Sequence, residues 1–372
     1  MIRAFALTCA LLATPAVAEG PAAAAQAAAE RLVAATAGLE AAPGARDRVS
    51  ALTEVVAAYE DGLAALRDGL RQAAIRERSL QADLDARADE VARLLGVLQT
   101  MDRVPAPLLM LHPSGPTGTA RSGMILAEVT PALQVEVDTL RAQLEELQVL
   151  QAIQEGALQT LQDGLEGASR ARAELSAAIA DRTDLPRRFT EDPLQTSLII
   201  ASTETLDAFA SGLAEIQQTH DDVPSPDATG LKGGLALPVQ GAVLRRFDQT
   251  DAAGIARPGI LVGTRPRALL TAPVAVTVRY NGPLLDYGTV LILEPAPDVL
   301  WVLSGLAEAF GEAGQVLPRG AALGLMGGET PAAQDILSES TGLHRGSLTE
   351  TLYLEVREGQ TPVNPAEWFA LD

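Results

Sequence analysis

Val223-Pro224-Ser225-Pro226-Asp227, followed two residues later by Gly230-Leu231-Lys232-Gly233-Gly234, divides the chain into two unlike parts. Proline and glycine at this density read as a linker, here 223–234. On its N-terminal side apolar residues recur at alternating steps of three and four. On its C-terminal side, from Leu235, the apolar period shortens to short β-rich runs: Val274 to Val278, Val290 to Leu293, Leu300 to Leu303 and Leu352 to Val356, separated by Gly, Pro and Asn. That change of period predicts an α+β chain, with a long helical part over 19–222 and a mostly β domain over 235–372.

Two stretches carry the three-and-four spacing, one from Val49 to Leu98 and one from Leu133 to Ile179. Sustained over so many turns, it is the heptad signature of a coiled coil. Each run spans roughly 75 Å at 1.5 Å per residue. Two runs of similar length joined by one connector predict a long antiparallel coiled-coil hairpin. Glu77, Arg87, Gln151, Gln154 and Arg172 interrupt the seam and are candidates for setting its register. The connector, 100–131, holds Pro105, Pro107, Pro113 and Pro116, which predict a tip loop. Its apolar run Leu108-Leu109-Met110-Leu111 either packs back on the hairpin or is a candidate docking surface. A third helical stretch over 194–218 carries Leu198, Ile199, Leu206, Phe209, Leu213 and Ile216.

The N-terminus predicts export. Arg3, the apolar Ala4 to Leu12 and the small-x-small Ala16-Val17-Ala18 before Glu19 make a cleaved signal peptide over 1–18. Cys9, the only cysteine, falls inside it, so the mature chain would hold neither a disulfide nor a thiolate metal site. A formal charge of −20 argues against a nucleic-acid partner, which calls for clustered cations against phosphate. The sequence has no G-x-S-x-G elbow, no Walker-type phosphate loop and no means of choosing a catalytic carboxylate pair.

Four stretches of the β half, taken in order, resemble the LytM-type (lysostaphin-like, duplicated hybrid motif) zinc peptidase family. They are Leu237-Pro238-Val239-Gln240-Gly241 with Arg246-Phe247; Thr271-Ala272-Pro273-Val274; Gly314-Gln315-Val316-Leu317-Pro318-Arg319-Gly320 with Leu323-Gly324 and Gly327; and Leu354-Glu355-Val356-Arg357 with Gly359, Pro362 to Pro365 and Trp368. The resemblance implies a zinc site from H-x-G-x-D and H-x-H motifs plus a further histidine, since neutral imidazoles and a carboxylate hold Zn²⁺ and lower the pKa of its water. In this chain those positions are Arg257, Leu261, Gly305, Thr351 and Tyr353. The expected reading is a degenerate peptidase domain without metal, cofactor or catalytic residues. His112 and His220 lie outside the β half, and His344 is displaced from the motif register fixed by Leu354 to Pro365.

A secreted hairpin joined to such a domain resembles the EnvC-like murein hydrolase activators. That resemblance implies a non-catalytic activator of periplasmic N-acetylmuramoyl-alanine amidases in cell separation, peripheral to the inner membrane. Its coiled coil would dock on an FtsE–FtsX-type complex, and a helix between hairpin and domain, here 194–218, would hold the groove shut. Peptidoglycan itself is a further candidate ligand. The candidate partner-binding groove is Pro258, Leu261, Tyr287, Tyr353 and Arg357. Two alternatives stay open: an active murein endopeptidase with an atypical metal site, and a structural murein-binding scaffold.

Overall fold

The computed structural model describes residues 21–87, 115–182, 185–189, 193–203, 205–215, 225–250, 256–341 and 348–371, with isolated positions between 89 and 96 and at 254. The signal-peptide residues, the tip run Leu108 to Leu111 and all three histidines lie outside them. The chain is α+β. Five helices come first: α1 (Pro21–Ala41), α2 (Ala45–Ala86), α3 (Gly115–Ala180), α4 (Pro193–Ser202) and α5 (Leu206–Glu215).

Helices α2 and α3 run antiparallel, as the heptads predict. Their seam buries Leu63, Leu70, Leu161 and Ala168, all heptad positions. The interrupting residues pair across it: Gln154 donates to Glu77 at 2.6 Å, Arg87 to Glu136 at 2.9 Å and Arg172 to Glu60 at 2.8 Å. Polar seam positions of this kind fix register, because a slipped alignment strands them without partners. Helix α1 folds back along α2, with Arg31 paired to Asp61, and adds Leu32 and Leu39 to the base of the hairpin.

Two boundaries differ from the sequence reading. Helix α3 already begins at Gly115, so 115–131 of the expected tip loop is helical. Pro116 stands in the first turn, whose N–H groups have no intrahelical acceptor in any case. Pro131 lies inside the helix, a local cost of about 3 kcal/mol. The expected single helix over 194–218 is two. Thr203 and Ser202 hydroxyls both donate back to the Ile199 carbonyl, at 2.8 and 3.1 Å, and Thr205 caps the next helix by accepting from Ala208 N at 3.1 Å. Side chains that bond the backbone locally compete with helix continuation.

The β half contains β1 (Gly241–Arg245), β2 (Ile260–Thr264), β3 (Leu269–Thr271), β4 (Val276–Pro283), β5 (Thr289–Ala296), β6 (Val299–Ala309), β7 (Val316–Leu317), β8 (Ala322–Met326), helix α6 (Ala333–Thr341), β9 (Glu350–Glu358) and β10 (Thr361–Val363). The strands pair antiparallel in the order β1-β2-β9-β6-β5-β4-β7, with β10 on β9 and β8 bridging β3 and β6. Side chains alternate across a strand, and here both faces are covered. Leu291, Leu293, Trp301, Leu303, Leu354 and Val356 point into the main core, where Trp301 meets Phe369 at 5.0 Å between ring centroids. The intervening Val290, Ile292, Leu300 and Val302 face the other way, against α5. The C-terminal part of the expected linker is packed rather than free: Ala228 is buried, and Gly233 N and Leu235 N both donate to the Trp368 carbonyl.

The hairpin base shares cores with the β domain. Val49, Leu52 and Leu175 pack with Leu269, Phe310 and Leu325, and α6 sets Ile336 against the α2–α3 seam. Glu60 joins all three parts, accepting from Arg172 of α3 and from Leu269 N of β3 at 2.9 Å. Burial raises its pKa above the ordinary carboxylate value, against the opposing pull of Arg172. Removing one member of a buried pair leaves an uncompensated charge, so Arg172→Met is expected to cost about 3–5 kcal/mol. The double variant with Glu60→Gln should recover most of it, as read from urea midpoints.

Candidate functional site

Five positions expected at the vacated zinc site come together on the outer face of β2, β6 and β9. Leu261 of β2 and Ser304 of β6 both sit opposite Tyr353 of β9, and Thr351 lies opposite Gly263 one row away. Gly305 follows Ser304 at φ 97°, where a Cβ would come 2.4 Å from the Thr351 carbonyl oxygen. That close approach requires glycine, so the position is held by backbone geometry rather than by loss of a contact residue. Arg257 is exposed at the entry to β2, and its charge acts on the Tyr353 phenol. Leu261 and Gly305 offer no ligand atom, and an Arg257 guanidinium repels a cation. Among the described residues no group of three or more His, Cys, Asp or Glu is placed to hold a metal ion.

The face carries a polar chain along β9. Residues 353, 355 and 357 share one side of the strand. The Tyr353 hydroxyl donates to Glu355 Oε2 at 2.6 Å, and Arg357 Nη1 donates to Glu355 Oε1 at 2.7 Å. Arg357 is only 1% exposed. Its remaining acceptors are Asp207 at 2.5 Å and Ser211 at 2.7 Å, both on α5, and the Gln360 carbonyl at 2.5 Å; its Nε has none among the described residues. Burial works against the charge on Arg357, but hydrogen bonds to Asp207 and Glu355 outweigh it and hold its pKa above the ordinary value. Burial also raises Tyr353 and Glu355, the latter against hydrogen bonds from Tyr353 and Arg357.

Helix α5 lies over this face. Leu206, Phe209, Ala210 and Leu213 are buried against Tyr280, Val290, Ile292, Leu300 and Val302, with Tyr287 and Tyr353 at the margin. Phe209 meets Tyr280 edge-on at 4.8 Å between ring centroids. Its far end is also clamped: Arg279 donates to the Leu213 carbonyl at 3.1 Å while pairing with Glu294 at 2.9 Å. Glu294 in turn lies 3.3 Å from Arg188, which belongs to the segment leaving the hairpin. That segment is tied down by Arg188 N to Gly314 O and Val316 N to Pro186 O. Gly314, at φ 87°, leaves no room for a side chain against the Phe189 carbonyl.

Of the expected groove residues, Leu261, Tyr287 and Tyr353 stand together and partly exposed, and Pro258 is partly exposed at the entry to β2. Arg357 departs from the expectation of an open anchor, because α5 covers it. Asp207, Ser211, Arg279 and Glu294 were not singled out in the sequence. Asp207 falls in the middle of the expected helix 194–218 and gains its first-turn place only because that helix divides at 203–205.

No protein-family model matches the chain, and no curated protein matches it. Among solved structures it is similar to Helicobacter pylori Csd3, at 16% identity over 42% of this chain and 37% of that one, with a TM-score of 0.28. A zinc-containing peptidase from Vibrio cholerae gives 19% identity over 37% and 40%, TM-score 0.28. A variant of the catalytic domain of the prophage-encoded M23 protein EnpA from Enterococcus faecalis gives 16% over 35% and 95%, TM-score 0.26. The chain thus spans less than two thirds of the first two. At such identities and scores, function is read from this chain's own residues.

A carboxyl with a raised folded pKa stabilises the fold below its unfolded pKa and loses that contribution as pH rises through the folded value. For Glu355 the window opens upward from its ordinary 4.5. Urea denaturation across that window should therefore show the wild-type stability falling relative to Glu355→Gln. A pH-independent difference would contradict the raised value.

Proposed function

We propose that this chain is a non-catalytic, regulated activator of periplasmic peptidoglycan amidases, exported by its N-terminal segment and working at the inner membrane. The observation carrying this reading is that the face expected to hold a catalytic metal is built of Leu261, Gly305, Tyr353 and a buried Tyr353–Glu355–Arg357 chain, and is partly roofed by α5. Such a face has shape and aromatic anchors for a partner and, among the described residues, no cluster of metal ligands. On this reading the amidase takes the place of α5, and the hairpin, acted on by an FtsE–FtsX-type complex, governs when it does. The path inward is Arg188, Glu294, Arg279 and the Leu213 carbonyl of α5.

Energetics favour a switch of this kind. A helix of 10 residues is marginal in water on its own, so α5 persists through docking. Fully burying a Phe or Leu side chain contributes about 1.5–3 kcal/mol, and each 1.4 kcal/mol removed changes the undocked fraction about tenfold.

The test uses the purified mature chain, a periplasmic amidase from the same cell and dye-labelled murein. Phe209→Ala is expected to raise amidase stimulation tenfold or more over the parent chain. Adding Tyr353→Ala to that background should abolish it. Dye release by the chain alone, stopped by a chelator, would establish an endopeptidase instead. Indifference of the amidase to every variant would leave a scaffold.

A further inference from the structure

The hairpin base, β2–β3 and α6 enclose a second cleft, of about 290 Å³, away from the face under α5. Its size is at the lower end of small-ligand sites, roughly 300–1,000 Å³. In a chain of net charge −20 this cleft gathers four of the arginines: Arg67, Arg71, Arg172 and Arg265. Two have partners, Arg71 with Asp68 at 3.0 Å and Arg172 with Glu60 at 2.8 Å. Arg67 and Arg265 make no hydrogen bond or ion pair among the described residues, although each is half-buried. Arg172, 7% exposed, also leaves its Nε without an acceptor there.

This arrangement works against itself in the absence of a ligand. Burial, and then the charge of Arg265, lower the pKa of Arg67 to about 10. Burial likewise lowers Arg265, with Arg71 adding to the repulsion and Asp68 and Glu339 opposing it. Guanidiniums in partly dry surroundings are ordinarily paired, and their fork of donors matches the oxygens of a carboxylate or phosphate. The rest of the wall mixes apolar Leu63, Pro266, Ile336 and Leu348 with polar Gln240, Thr330 and Ser340 and the carboxylates Glu60 and Glu339, the first of them already paired with Arg172. We infer that the cleft is a binding site for a small oxyanion, a phosphate or carboxylate on a compact, partly apolar body, held between Arg67 and Arg265. The inference is independent of the amidase reading.

Because the cleft is built jointly by α2, α3, α6 and the β1–β3 region, a bound anion would stabilise the hairpin against the β domain. The experiment is thermal denaturation and calorimetry of the intact chain in low-salt buffer with inorganic phosphate or acetate, sodium chloride holding ionic strength constant. A saturable rise in Tm is expected with at least one of the two, and the stronger one identifies the class. Arg67→Gln and Arg265→Gln should each weaken that response at least tenfold in anion concentration. In the absence of anion, Arg265→Gln should be as stable as the parent or more so, because it relieves the burial of a charge, the largest influence on Arg265, and removes no hydrogen bond. Chloride reproducing the effect, variants that keep it, or a loss of Tm in anion-free Arg265→Gln would each overturn the site.

Discussion

A guanidinium with 1% exposure must find its acceptors inside the protein, and Arg357 finds them on two elements at once. Glu355 and the Gln360 carbonyl come from its own strand and the turn that follows it, Asp207 and Ser211 from α5. With α5 gone, one buried cation would keep a single carboxylate and a single carbonyl. The carboxylate itself is already disfavoured by burial. Water would then have to enter the face to complete the set. The sheet face and the helix are therefore two halves of one polar solution, and neither has its observed form without the other.

The rest of the β domain makes this possible because its central strands are two-sided. Along β6, Trp301 and Leu303 enter the main core while Leu300 and Val302 meet α5. Along β9, Leu354 and Val356 enter the core while Tyr353, Glu355 and Arg357 line the other face. A one-residue slip would exchange the two sets, sending a carboxylate and a guanidinium into the Trp301 cluster. The polar chain thus contributes to register as well as to docking.

Much of this was legible in the sequence, for reasons of periodicity. The three-and-four spacing fixes the α2–α3 seam, and the change of period at Leu235 fixes the α+β division. The seam's polar residues were visible as interruptions, but not which residues they pair with, since Glu60–Arg172 spans 112 residues. Helix α1 carries no apolar stripe strong enough to announce it. The break between α4 and α5 depends on Ser202, Thr203 and Thr205 choosing backbone partners. Arg257, Leu261, Gly305, Thr351 and Tyr353 were singled out by motif register. That Arg357 is covered was not, because its acceptors on α5 are 150 and 146 residues away.

Helix α3 runs for 66 residues, about 100 Å at 1.5 Å per residue, and ends at Ala180, ahead of the segment that holds Arg188. A rigid helix transmits displacement along its axis with little loss, so movement of the hairpin, carried along the chain as well as through the packed base, reaches 185–189. There the opposing constraints are concrete: two backbone hydrogen bonds, the Arg188–Glu294 pair, and the glycine at 314 that admits the Phe189 carbonyl. Glu294 is shared between Arg188 and Arg279, and Arg279 holds the last turn of α5. Drawing Arg188 away leaves Arg279 as sole partner of a buried carboxylate, which favours its turning from the Leu213 carbonyl toward Glu294. On the proposed reading this loosens the C-terminal end of α5 while Arg357 still grips the N-terminal end. Release would then begin at the end nearer the hairpin and finish at Asp207.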